Sequence, residues 1–83
     1  MDNYFLLFLV SKYWYARCEW WESDEIDDRD YKSNKWGESR AYQIALKEIT
    51  HIDEGEIFNL WCKFYEDNYN SQGFTDAIVA RAK

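Results

Sequence analysis

One residue in five of this chain is aromatic, and that feature constrains the fold more than any other. Five Trp, seven Tyr and five Phe occur among 83 residues. Each buried aromatic side chain removes ~150–250 Å² from water. A chain near the lower size limit of an independent domain can therefore still build a dense core. An apolar share of 47% argues against disorder over the whole chain, and a single domain covering residues 1–83 is expected. No proline interrupts it, and Gly37, Gly55 and Gly73 are its only glycines.

The apolar pattern predicts a small α+β domain of order ββαβα, with about three antiparallel or mixed strands and two helices on one face of the sheet. Tyr4–Val10 is continuously apolar, as in a strand buried on both faces. Tyr13–Glu22 alternates, with Trp14, Ala16, Cys18 and Trp20 on one side and Tyr13, Tyr15, Arg17, Glu19 and Trp21 on the other. The competing reading of this region is one long helix from Asn3 to Glu22. Tyr42, Ala45, Leu46 and Ile49 recur at helical spacing, which predicts a helix from Asn34 or Gly37 to Thr50. Glu56–Glu66 alternates again and predicts the third strand. A last helix, capped by Asn70 or Ser71, carries Phe74, Ala77, Ile78, Arg81 and Ala82 on one side.

Such a sheet exposes Tyr13, Tyr15, Trp21, Trp61 and Tyr65 on its open face, with Arg17 and Lys63 between them. An aromatic patch of that size is expected to be an interface, because Tyr, Trp and Arg anchor protein contacts. The alternative is that the N-terminal segment or the acidic loop folds over it. Stacked aromatics also serve single-stranded nucleic acids, but here the charge opposes direct nucleic-acid binding.

Sixteen acidic residues against ten basic give a net charge of −6. Five units of that excess lie within ESDEIDDRD, where Glu22, Asp24, Glu25, Asp27, Asp28 and Asp30 face only Arg29. Three readings compete. The run is a solvated loop that aids solubility, a metal site, or an imitation of a nucleic-acid backbone. The metal reading fails on pattern, for there is no D-x-D-x-D-G series and no nearby histidine or cysteine for zinc. Backbone imitation is limited by charge density. An extended run carries about one carboxylate per 5 Å, against about one charge per 1.7 Å of duplex axis. It needs further carboxylates, and Glu19, Glu38, Asp53, Glu54 and Glu56 are the candidates.

Motifs for catalysis are missing. The chain has no glycine-rich phosphate loop, no nucleophile elbow and no CxxC pair. Cys62 falls on an apolar face, and His51 at a helix end complements the helix dipole. No catalytic residue, metal or cofactor is expected. Cys18 and Cys62 fall on matching faces, and reduced thiols in a cytoplasmic protein are expected. The N-terminal apolar run is too short for a membrane span. In size and charge alone the chain is similar to small acidic inhibitors encoded by phages and mobile elements, an anti-defence class that blocks nucleic-acid-binding machinery. The expectation is an inhibitory or regulatory protein that meets a basic surface of a nucleic-acid-binding protein partner. The alternative is a self-associating accessory domain that dimerises through the aromatic sheet face.

Overall fold

A computed structural model describes residues 3–23 and 29–82, and the ββαβα expectation is wrong: no strand occurs among the described residues. Four helices follow one another, α1 (Asn3–Glu22), α2 (Arg29–Thr50), α3 (Glu54–Glu66) and α4 (Ser71–Arg81). The segments expected as strands, Tyr4–Val10, Tyr13–Glu22 and Glu56–Glu66, all lie in helices. The competing reading of Asn3–Glu22 as one helix matches α1 at both ends.

The physical reason lies in which residues are buried. Along α1 they are Leu6, Leu9, Val10, Tyr13, Trp14, Ala16 and Arg17, a stripe at i, i+3, i+4, i+7, i+8, i+10 and i+11. Apolar residues occupy the outward positions as well, so alternation coexists with the helical period and does not decide the structure. In α3 the buried set is Ile57, Leu60 and Trp61, again at helical spacing. Asp53 caps its start by accepting a hydrogen bond from Gly55 N–H at 3.0 Å. Glu54 and Glu56 in the first turn and Lys63 in the last complement the helix dipole.

α2 begins earlier than its apolar stripe indicates, at Arg29, and ends at Thr50 as expected. Its buried side chains are Ser39, Gln43, Leu46 and Thr50. Ser39 and Thr50 donate their hydroxyls back to the carbonyls of Trp36 and Leu46, which satisfies small polar groups inside the helix pair. His51 then takes a left-handed backbone (φ 62°) and closes the helix. α4 starts as expected, with Asn70 Oδ1 accepting from Gly73 N–H at 2.9 Å.

α1 runs antiparallel along α2, with Tyr13 and Arg17 meeting Gln43 and Glu19 meeting Lys35. α3 and α4 close over the opposite flank of α1. There Trp14 packs against Trp61 and Phe74, with ring centres 6.3 and 5.5 Å apart. One contiguous cluster joins these residues to Leu46, Ile52, Ile57 and Ile78. No helix among the described residues is long and apolar enough to cross a membrane.

The glycines test this arrangement in opposite directions. A Cβ at Gly37, midway along α2, would meet nothing within 4 Å, so Gly37→Ala should stabilise the fold by about 0.5–1 kcal/mol. A Cβ at Gly73 would lie 2.7 Å from the Phe64 ring and 2.6 Å from Asn70 Nδ2, so Gly73→Ala should destabilise it by roughly 1–3 kcal/mol. Urea unfolding of both variants measures the two signs; a loss at Gly37 would contradict a continuous α2.

Candidate functional site: an acidic and aromatic end

The five aromatics expected on one open sheet face are divided among three environments. Tyr13 is fully buried and donates its hydroxyl to Gln43 Oε1 at 2.7 Å. Trp61 is also buried, in the centre of the α1, α3 and α4 packing. Tyr15 is exposed on the outer side of α1. Trp21 and Tyr65 belong together, at the end of the bundle where α1 stops and α3 stops. Their ring centres lie 6.5 Å apart, and Trp61 stacks beneath Tyr65 at 4.8 Å. Arg17, read as part of the same open face, is buried instead.

The acidic residues are partly accounted for. Glu22 is exposed at the C-terminal end of α1, and Asp30 is exposed in the first turn of α2. Asp24, Glu25, Asp27 and Asp28 lie outside the described residues. Glu22 Oε1 accepts the Tyr65 hydroxyl at 3.2 Å, which ties the acidic end of α1 to the aromatic end of α3. Glu19, one turn earlier, is engaged by Lys35 Nζ at 2.5 Å, and Lys35 is held more firmly protonated as a result. Glu66 and Asp67 add two more exposed carboxylates at the end of α3. Of the carboxylates proposed to extend the acidic run, Glu19 lies at this end. Glu56 pairs with Arg81 at 3.0 Å, and Glu54 and Asp53 sit at the opposite end of α3.

Sequence reasoning missed Tyr69. The turn between α3 and α4 places both Asn68 and Tyr69 in the left-handed region, at φ 60° and 58°. Asn tolerates that conformation, but a bulky aromatic rarely adopts it. The turn is held by Asn70 N–H donating to Phe64 C=O at 2.9 Å and by Tyr69 N–H donating to Tyr65 C=O at 3.2 Å. The Tyr69 side chain remains 64% exposed, with its ring edge-on to Tyr65 at 5.0 Å. It forms one wall of an open cleft of about 350 Å³ whose other walls are Trp14, Tyr15, Cys18, Glu19, Glu22 and Ser71. Asn-Tyr-Asn in a turn was the available signal, since strained aromatics concentrate at functional sites.

Titration behaviour at this end favours neutral phenol and thiol. Burial, then the Glu22 charge and hydrogen bond, keep the Tyr65 hydroxyl protonated well above the ordinary range. Burial raises the Cys18 thiol to about 11, with Glu22 and Glu19 adding to it, while the Trp61 indole favours the thiolate. Burial likewise raises Cys62, so neither cysteine is an activated nucleophile. The two are unbonded and half-buried. Among the described residues no group of three His, Cys, Asp or Glu could hold a metal ion. What the arrangement can do is bind a cation, since its carboxylates and exposed ring faces both attract positive charge.

Compared with known proteins, the chain matches no family model, no curated protein and no solved structure.

The buried phenol of Tyr13 gives a pH test of the packing. Burial, partly offset by Arg17, raises it from 10.0 to about 12. The folded state therefore holds a proton that the unfolded chain releases near pH 10. Its stabilising effect is complete below pH 10 and is lost as pH rises through about 12. Wild-type stability, followed by urea unfolding at increasing pH, should fall across that window. Tyr13→Phe should flatten the fall, and parallel curves would show that Tyr13 holds no such proton.

Proposed function

We propose that this chain is a small inhibitory or regulatory binding protein of the cytoplasm. Its acidic and aromatic end occupies a basic, nucleic-acid-binding surface of a protein partner. The observation that carries the reading is Tyr69, held in a left-handed backbone with most of its ring in water, beside Glu22. A glycine or asparagine would relieve that backbone, so the position retains an aromatic at a cost to stability. Ring faces next to carboxylates suit Lys and Arg side chains from a partner.

The net charge of −6 supports the same reading from a distance. A polyanion with much of its charge at one end is steered toward a basic surface and repelled by nucleic acid itself. The run from Glu22 to Asp30 is too sparse in charge to replace a duplex by electrostatics alone. Aromatic contacts from Tyr69, Trp21 and Tyr15 supply the remainder.

The trade between stability and binding is directly measurable. A capped arginine-rich peptide, titrated while tryptophan fluorescence is followed, should bind with an affinity that falls as salt rises. Tyr69→Asn should keep or raise stability yet weaken that binding roughly tenfold, and Glu22→Gln should weaken it similarly. Asp27→Lys combined with Asp28→Lys should slow association. Unchanged affinity in Tyr69→Asn would refute the assignment of this cleft.

A further inference from the structure

The outer side of α1 from Tyr4 to Lys12 lies away from the acidic end and has a different character, with Tyr15 at the border between the two. Phe5, Leu7, Phe8 and Tyr15 are 45–60% exposed and Tyr4 is 85% exposed. Together they leave on the order of 600 Å² of largely apolar surface in water, at the upper end of what a soluble monomer shows. From Asn3 to Cys18 the helix carries no carboxylate, although the chain has sixteen. The one exposed charge is Lys12, whose ammonium lies over the Phe8 ring at 5.4 Å from its centre.

We infer that this face binds a second copy of the same chain, α1 against α1, antiparallel about the point between Leu9 and Val10. The spacing of the stripe is the first reason. Tyr4, Phe8, Ser11 and Tyr15 follow at intervals of four, three and four residues, a pattern that is identical when reversed. Such a stripe can meet a copy of itself about a two-fold axis, residue i against j and j against i, as an isologous contact does. In this register Tyr4 meets Tyr15 of the second copy, and Phe8 lies over the small side chain of Ser11. Leu7 meets the aliphatic stem of Lys12. Large faces small and aromatic faces aromatic, as close helix packing needs.

Area and charge agree with a second copy. With Ser11 and the Lys12 stem added, the face approaches the ~800 Å² per partner of a standard stable interface. Two chains of charge −6 repel one another, and the stretch Asn3–Cys18 that carries this face has no carboxylate of its own. The antiparallel arrangement also sends the two Glu22 ends in opposite directions, about 37 Å apart at 1.5 Å per residue. The dimer therefore leaves Glu22 and Tyr69 of both chains to a partner, with Tyr15 at the border between contact and cleft, and makes the assembly bivalent. It shares only Tyr15 with the Tyr69 cleft, and Phe8, at the centre of the contact, is no part of that cleft, so a loss at Phe8 and a loss at Tyr69 are distinguishable.

Sedimentation equilibrium of the full chain, from micromolar to submillimolar concentration, should show twice the chain mass. Phe8→Glu places a carboxylate at the centre of the contact and should raise the dissociation constant roughly a hundredfold or more. Its circular dichroism should match wild type, and its melting should match at concentrations where the wild type is a single chain, because Phe8 is half exposed there. In a background with Cys18→Ser and Cys62→Ser, mixed Phe8→Cys and Ser11→Cys chains should cross-link on oxidation more than either variant alone. A single-chain mass throughout, a dimer indifferent to Phe8→Glu, or equal cross-linking in the separate variants would overturn the inference. So would a single-chain protein that floats with phosphatidylcholine vesicles, which would assign the face to lipid.

Discussion

Burying a guanidinium among aromatic rings is the constraint on which the rest of this bundle depends. Arg17 is 4% exposed, and among the described residues no carboxylate forms an ion pair with it. Its Nη2 donates to Gln43 Oε1 at 2.9 Å, the same oxygen that accepts the Tyr13 hydroxyl. The rings of Tyr13, Trp20 and Phe58 lie 5.1–5.4 Å from its central carbon. A desolvated cation–π contact contributes about 2 kcal/mol at best, so three rings offset a substantial part of the cost of removing this charge from water. Among the described residues Arg17 Nε finds no hydrogen-bond partner, so the compensation they give is incomplete. The partners come from α1, α2 and α3, so the group also fixes how those helices are turned relative to one another.

That rotation decides what the surface presents. With Tyr13 and Arg17 turned inward toward Gln43, Tyr15, Phe8 and Tyr4 must point outward on the same helix. Trp14 then meets α3 and α4, and Trp21 reaches the Tyr65 ring. Much of the aromatic surplus is thus explained by one buried charge and one core. Among the rings that neither solvate Arg17 nor fill the core are Tyr4, Phe5, Phe8 and Tyr15 on the side of α1, Trp21 and Tyr69 at its acidic end, and Trp36 on α2.

The helices were legible where polar residues thin out one face. α2 shows Tyr42, Ala45, Leu46 and Ile49 against Lys47 and Glu48, and α4 shows Phe74 and Ile78 after an Asn70 cap. α1 and α3 were not, because aromatics occupy both the buried stripe and the outward positions, and such a segment satisfies a period of two as well as 3.6. The caps held better information: Asp53 before Glu54 and Glu56 marks a helix start that alternation in Glu56–Glu66 conceals. Of the site, Glu22, Trp21 and Tyr65 were legible by residue type, and their meeting was not. Tyr65 reaches Glu22 from 43 positions away, and only a bundle in which α1 and α3 end side by side brings them together. Tyr69 was invisible to periodicity because its value lies in a backbone angle.

In the proposed reading a single helix separates two kinds of binding. Along α1 the outward residues change from apolar and carboxylate-free at Tyr4, Phe8 and Tyr15 to acidic at Glu19 and Glu22. Had the acidic residues been spread along α1, neither surface would work: carboxylates would forbid apolar contact, and scattered charge would lose its steering effect on a basic partner. Segregation preserves both. Contact through the apolar stretch holds two acidic ends apart without neutralising them, and two weak electrostatic sites joined in one assembly bind far more tightly than either alone when their spacing matches that of the target. The sparse charge of one acidic run, insufficient by itself to displace a nucleic acid, is then supplemented by geometry as well as by the aromatic rings beside it.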